Sequence, residues 1–192
     1  MGKLTSLGAV ALLAAAVAGC SSSTTTTKNS AATAGASPTA MSGTEMFAGQ
    51  VTGAAALSNR VLIPLKWTGP VITTSTFNPG SGSPKKGQHY TFKTAAGNFT
   101  IVVSGTVTNA QKLLSASTCQ FEFMTTVPYR VDGATSTRKF AGSTGNGVAT
   151  VTFRVYIPKL ASGKCNQSNN AQPLSKGAVA AFKGTGTLTV KA

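Results

Sequence analysis

Along most of the chain, apolar and polar side chains alternate one by one. That is the period of a strand with one buried face, not of a helix. Phe99, Ile101, Val103 and Val107 stand against Thr100, Ser104, Thr106 and Thr108. Ala149, Val151, Phe153, Val155 and Ile157 repeat the pattern against Thr150, Thr152, Arg154 and Tyr156. Near the C-terminus, Phe182, Leu188 and Val190 oppose Lys183, Thr185, Thr187 and Thr189. Shorter strands are expected at 47–51, 61–67, 71–76, 90–93 and 120–126. Pro64 pushes its part of the second towards an edge or a bulge, because proline has no N–H to give to a ladder. Asn78-Pro79-Gly80, Ser83-Pro84, Asp132-Gly133, Asn146-Gly147 and Ser162-Gly163 read as the turns between strands. Only 110–117 leaves room for a short helix. Many antiparallel strands, each with one apolar face, must close on themselves or pair as two sheets. The class expected is therefore all-β, a single antiparallel β-barrel, with a β-sandwich as the alternative.

The alternation is absent from the first 44 residues. Within 1–19, Lys3 precedes a short apolar run over 7–17 and then small residues, the layout of an exported signal peptide. The run is shorter than the roughly 20 apolar residues of a membrane-crossing helix. Its end, Val17-Ala18-Gly19-Cys20, resembles the lipobox of bacterial lipoproteins. That resemblance implies cleavage before Cys20, lipidation of its thiol, and a lipid-anchored protein at the extracytoplasmic face of the cell membrane. Two acyl chains on one residue give the stable anchoring that a single chain does not. Residues 20–44 are mostly Ser, Thr, Ala and Gly, with Lys28 the one cation. Such a segment buries too little to offset its ordering entropy, and is expected to be a flexible tether. Residues 45–192 then form one domain of ordinary size.

A second resemblance bears on the fold. Arg138-Lys139-Phe140-Ala141-Gly142-Ser143-Thr144-Gly145-Asn146-Gly147 leads into a long strand, and the chain ends on Phe182-Lys183-Gly184-Thr185-Gly186-Thr187-Leu188-Thr189. Together these resemble the allene oxide cyclase-like and dirigent-like β-barrels over about the last third of the domain. Ala134-Thr135-Ser136-Thr137 departs from the Gly-Thr-Gly often found just upstream. The resemblance implies a barrel and makes an isomerase or cyclase thinkable, but carries over no active-site residue.

Cysteine and acid counts then narrow the chemistry. With Cys20 assigned to lipid, Cys119 and Cys165 remain, and outside the cytoplasm an even pair is most simply one disulfide. Neither CxxC spacing nor a nearby histidine accompanies them, so no metal is expected. The chain holds three carboxylates, Glu45, Glu122 and Asp132, and one histidine, His89. Glu45 falls at the edge of the tether, Asp132 in a turn, and Glu122 on the strand face opposite Phe121 and Phe123. Acid–base or triad catalysis has little to work with here, and no catalytic residue or cofactor is expected.

The net charge is +14, from seventeen Lys and Arg against three acids. An anchored domain of this charge is drawn to anionic lipids or acidic envelope polymers, whereas nucleic acid is no physiological partner in that compartment. The candidate contacts are Lys85, Lys86, Arg138, Lys139, Arg154 and Lys183. The leading expectation is a non-enzymatic envelope lipoprotein with a binding or structural role. An alternative is a barrel carrying a small apolar ligand, with Phe99, Phe121, Phe123, Phe153, Phe182 and Trp67 lining or plugging its interior.

Overall fold

The computed structural model describes residues 39–191, leaving aside Ser81 and Asn169. The signal peptide, Cys20 and most of the tether lie outside the described residues. The strands are β1 (Met41–Thr52), β2 (Ile63–Thr68), β3 (Thr74–Phe77), β4 (His89–Thr94), β5 (Gly97–Val103), β6 (Thr108–Ser115), β7 (Gln120–Val131), β8 (Asn146–Tyr156) and β9 (Leu174–Val190). They form one sheet in the order β5-β4-β3-β2-β1-β9-β8-β7-β6, and a further β5–β7 pairing closes it. The result is an eight-stranded antiparallel β-barrel, with β6 left outside the ring.

β5 and β6 run in the same lane beside β7. Ile101, Val102 and Val103 pair with Val131, Arg130 and Tyr129, and β6 takes up the pairing again from Thr108 opposite Thr126. The break between them falls opposite Pro128. Ser104 N–H donates to the Pro128 carbonyl at 3.0 Å, but Pro128 has no N–H to return, so the ladder lapses there. Beyond the break, β6–β9 continue past the ring as a curved sheet. Among the described residues, β6 pairs with β7 alone and is exposed along nearly its whole length.

One end of the barrel is plugged. Phe140, on the short 3-10 turn Arg138–Phe140, is fully buried and packs against Phe99 with ring centroids 5.8 Å apart. The 69–73 connection crosses the same end and is fastened from inside by Glu45, which is 2% exposed. The Glu45 carboxylate accepts from the main-chain N–H of Val71 at 2.7 Å and of Ile72 at 3.4 Å. Below the plug, Phe47, Trp67, Phe92 and Phe99 interlock, with Trp67 edge-on to Phe99. Gly184 is required here, because a Cβ would overlap the Phe47 ring lying on it. The other end carries the 78–88 connection, the β6–β7 turn and the 157–173 loop. A Cys119–Cys165 disulfide ties the last two together.

Several expectations are corrected. β1 starts at Met41, and Met41 to Thr44, expected within the tether, pair with β9. Glu45 therefore shares the inward face of Phe47 instead of marking a boundary. The 71–76 strand shrinks to Thr74–Phe77, since Val71 and Ile72 give their N–H groups to Glu45. The 110–117 segment is not helical: 110–115 lies in β6, paired with β7 with a register shift between Leu113 and Ser115, and 116–117 lies in the turn to β7. Pro64 sits inside β2, at the point where the β1–β2 ladder has already ended at Ala48 and Lys66.

Candidate functional site

Between the plug and the far end, the barrel interior is not filled. β7 and β8 present large inward pairs, Phe123 with Phe153, and then two small ones, Thr125 with Val151 and Val127 with Ala149. The next inward position of β9 after Phe182 is Gly184. The space at Gly184 is taken by the Phe47 ring, and the short side chains in register on β7 and β8 leave a cavity of about 210 Å³. Phe47, Phe77, Tyr90, Phe92, Ile101, Thr125, Val127, Ala149, Val151 and Phe182 line it. Pro79, Gly80, Gly82, Ser83 and Pro84, from the β3–β4 connection, border its mouth.

The wall is apolar with few polar groups. Thr125 donates its hydroxyl to Asn109 Oδ1 at 2.8 Å, and burial pushes the Tyr90 phenol pKa up. Lys183 also borders the cavity, but it is an exposed, outward residue of β9. A second, more open hollow of about 580 Å³ continues along the same concave face past Phe123 and Phe153. Phe121, Val155, Ile157, Gln111 and Pro173 line it, and the disulfide-tied loop forms one side.

Of the aromatics expected in the interior, Phe182 lines the cavity, Trp67 and Phe99 belong to the packed core, and Phe121, Phe123 and Phe153 line the outer hollow. The expectation missed Phe47, Phe77, Tyr90 and Phe92. The signal that was available is the run of small inward residues at 125, 127, 149 and 151.

The titratable groups are scattered. Glu122 points outward and pairs with Arg154 Nε at 2.6 Å, with Lys112 opposite it on the other side. His89 Nδ1 lies 3.1 Å from Asp132 Oδ2 on the outer surface. The Thr135 hydroxyl bonded to Asp132, then the nearby main-chain N–H groups and His89, hold that carboxyl below its usual range in spite of burial. Inside, desolvation and then the Glu45 charge push the Tyr129 phenol pKa up to about 12. Among the described residues no three His, Cys, Asp or Glu side chains are grouped as metal ligands.

The six candidate anion contacts do not gather in one place, although Arg154 and Lys183 border one outer hollow. Lys85 and Lys86 are in the connection at the open end, and Arg138 and Lys139 are at the plug, where Lys139 Nζ donates to the Val71 carbonyl at 3.3 Å. Arg154 is engaged by Glu122, and Lys183 stands on the outer wall. No family model, curated protein or solved structure matches the chain.

Proposed function

We propose that this is a lipid-anchored extracytoplasmic binding protein whose barrel carries a small apolar molecule. The observation that carries the reading is the unfilled, apolar interior. An enclosed void of 210 Å³ would forfeit about 5 kcal/mol, which is the ceiling for this cavity because it opens at its mouth. Domains of this kind have only about 5–15 kcal/mol of stability in total, and one or two larger side chains would remove the loss. A retained void of that size argues for an occupant. An engineered apolar cavity of about 150 Å³ takes up benzene, so the space here suits one or two fused rings or a short acyl chain. The open hollow beside Phe121 and Phe153 offers room for a longer ligand to continue.

The likeness to allene oxide cyclase-like and dirigent-like barrels keeps an isomerase as the second reading. It is the less supported one: Glu122 and His89 both face outward, Glu45 and Tyr129 are buried towards the plug and do not line the cavity, and Tyr90 is the inward titratable side chain that does. The signal peptide and the Cys20 lipobox supply the anchoring half of the proposal, and a Cys20→Ala variant is expected to be released or left unprocessed with its fold intact.

The test is native mass spectrometry of the protein purified from its own host in non-ionic detergent. The expected result is a reproducible extra mass that organic extraction removes and that returns on adding the extract. A bare mass, together with no uptake of naphthalene by the extracted protein, would sink the reading.

A further inference from the structure

We propose that the outer wall of the barrel, across β8, β9, β1, β2, β3 and β4, is a docking groove for a linear anionic glycopolymer. The register places one outward row across five strands: Thr150, Lys183, Ala48, Lys66 and Thr74 are successive cross-strand partners. Lys183 and Lys66 both stand opposite Ala48, so their backbones are two strand spacings apart, roughly 10 Å. That is near the Debye length at physiological salt, and the two ammonium groups act on one polymer segment together.

The surface between these lysines is hollowed. Ala48 and Gln50 floor two adjoining grooves of about 530 and 490 Å³, one towards Lys183 and Arg154, the other towards Lys93. The β1–β2 ladder ends at Ala48, and Ala48 and Ala181 add little bulk to the wall between Lys66 and Lys183. The two grooves share Lys66 and Ala48, so together they run across the strands from Arg154 to Lys93.

Charge complementarity names the occupant. Of the three carboxylates, Glu45 lies inside the barrel and Asp132 is held by His89 and Thr135, while Glu122, at the Arg154 end of the groove, is paired with Arg154 and stands opposite Lys112. Lys66, Lys93 and Lys183 are exposed and face no carboxylate among the described residues. Thr74, Thr76 and Thr152 line the same grooves with hydroxyls, which suit sugar hydroxyls as well as anions. A trough running across a barrel wall fits a single polymer strand better than a flat bilayer.

The experiment compares two charge-matched double variants of the full protein, Lys66→Gln/Lys183→Gln on the wall and Lys85→Gln/Lys86→Gln in the β3–β4 connection. Binding to size-fractionated polygalacturonate is measured across a salt series, with neutral dextran as the control and phosphatidylglycerol vesicles as the competing surface. The wall variant is expected to bind the polymer about tenfold more weakly, the loop variant less than about threefold. Equal losses in the two variants would overturn the proposal, because binding would then follow total charge alone. Failure of the parent protein to bind the polymer at low salt, or wall-dependent binding to vesicles only, would overturn it too. Thermal unfolding of both variants checks that the fold is unaltered.

Discussion

Ala149→Leu puts the cavity itself to the test. Ala149 faces inward from β8, in register with Val127 on one side and Gly184 on the other, and lines the void. Leucine adds three carbons. At about 0.8 kcal/mol for each buried carbon, full burial contributes about 2.4 kcal/mol, within the 5 kcal/mol ceiling set by the cavity volume. Fixing the leucine rotamer costs about 0.5–1 kcal/mol, which leaves a net stabilisation of about 1.5 kcal/mol. In a domain of this size that raises Tm by about 3–6 °C. Urea unfolding of the organically extracted parent and variant should show a higher midpoint at unchanged slope, and naphthalene uptake should drop. A filled core behaves in the opposite way, losing about 1–3 kcal/mol when overpacked. A variant that unfolds at lower urea than the parent would therefore refute the void, and with it the basis of the carrier reading.

Three further outcomes follow from the described contacts. Glu45→Gln should destabilise the domain by about 2–3 kcal/mol in urea, since one of two carboxylate oxygens facing the Val71 and Ile72 N–H groups becomes an NH₂ donor. Tyr129, with its pKa raised to about 12, keeps its proton in the fold after the unfolded chain has lost it. Stability is then intact below about pH 10 and falls between about pH 10 and 12, by up to about 3 kcal/mol, and Tyr129→Phe should flatten that alkaline limb. Reduction of Cys119–Cys165, which closes a loop across 46 residues, should lower stability by about 2–4 kcal/mol and speed hydrogen exchange in the 157–173 loop.

Period-two alternation was enough to read the barrel class and most strands, because each inward run is long and apolar. The disulfide was legible from cysteine parity. What the pattern hid has physical reasons. Glu45 looked like a boundary residue because a buried carboxylate interrupts the apolar face, although it keeps step with Phe47. The 110–117 segment lacks alternation because both its faces are exposed, leaving no burial signal to read. The void was hidden because it arises from register: Thr125, Val127, Ala149 and Val151 are unremarkable singly and leave space only once β7 and β8 set them side by side.

Among the described residues, β6 has one bare edge of amide and carbonyl groups, a template on which another copy can build a sheet. Leu113 and Leu114 on that edge are partly exposed, and Lys112 is the one charge between Thr108 and Ser115. Crowding many copies onto one surface brings such edges together. The large positive charge that each carries then acts as a gatekeeper, and concentrated salt, by screening it, favours edge-to-edge growth.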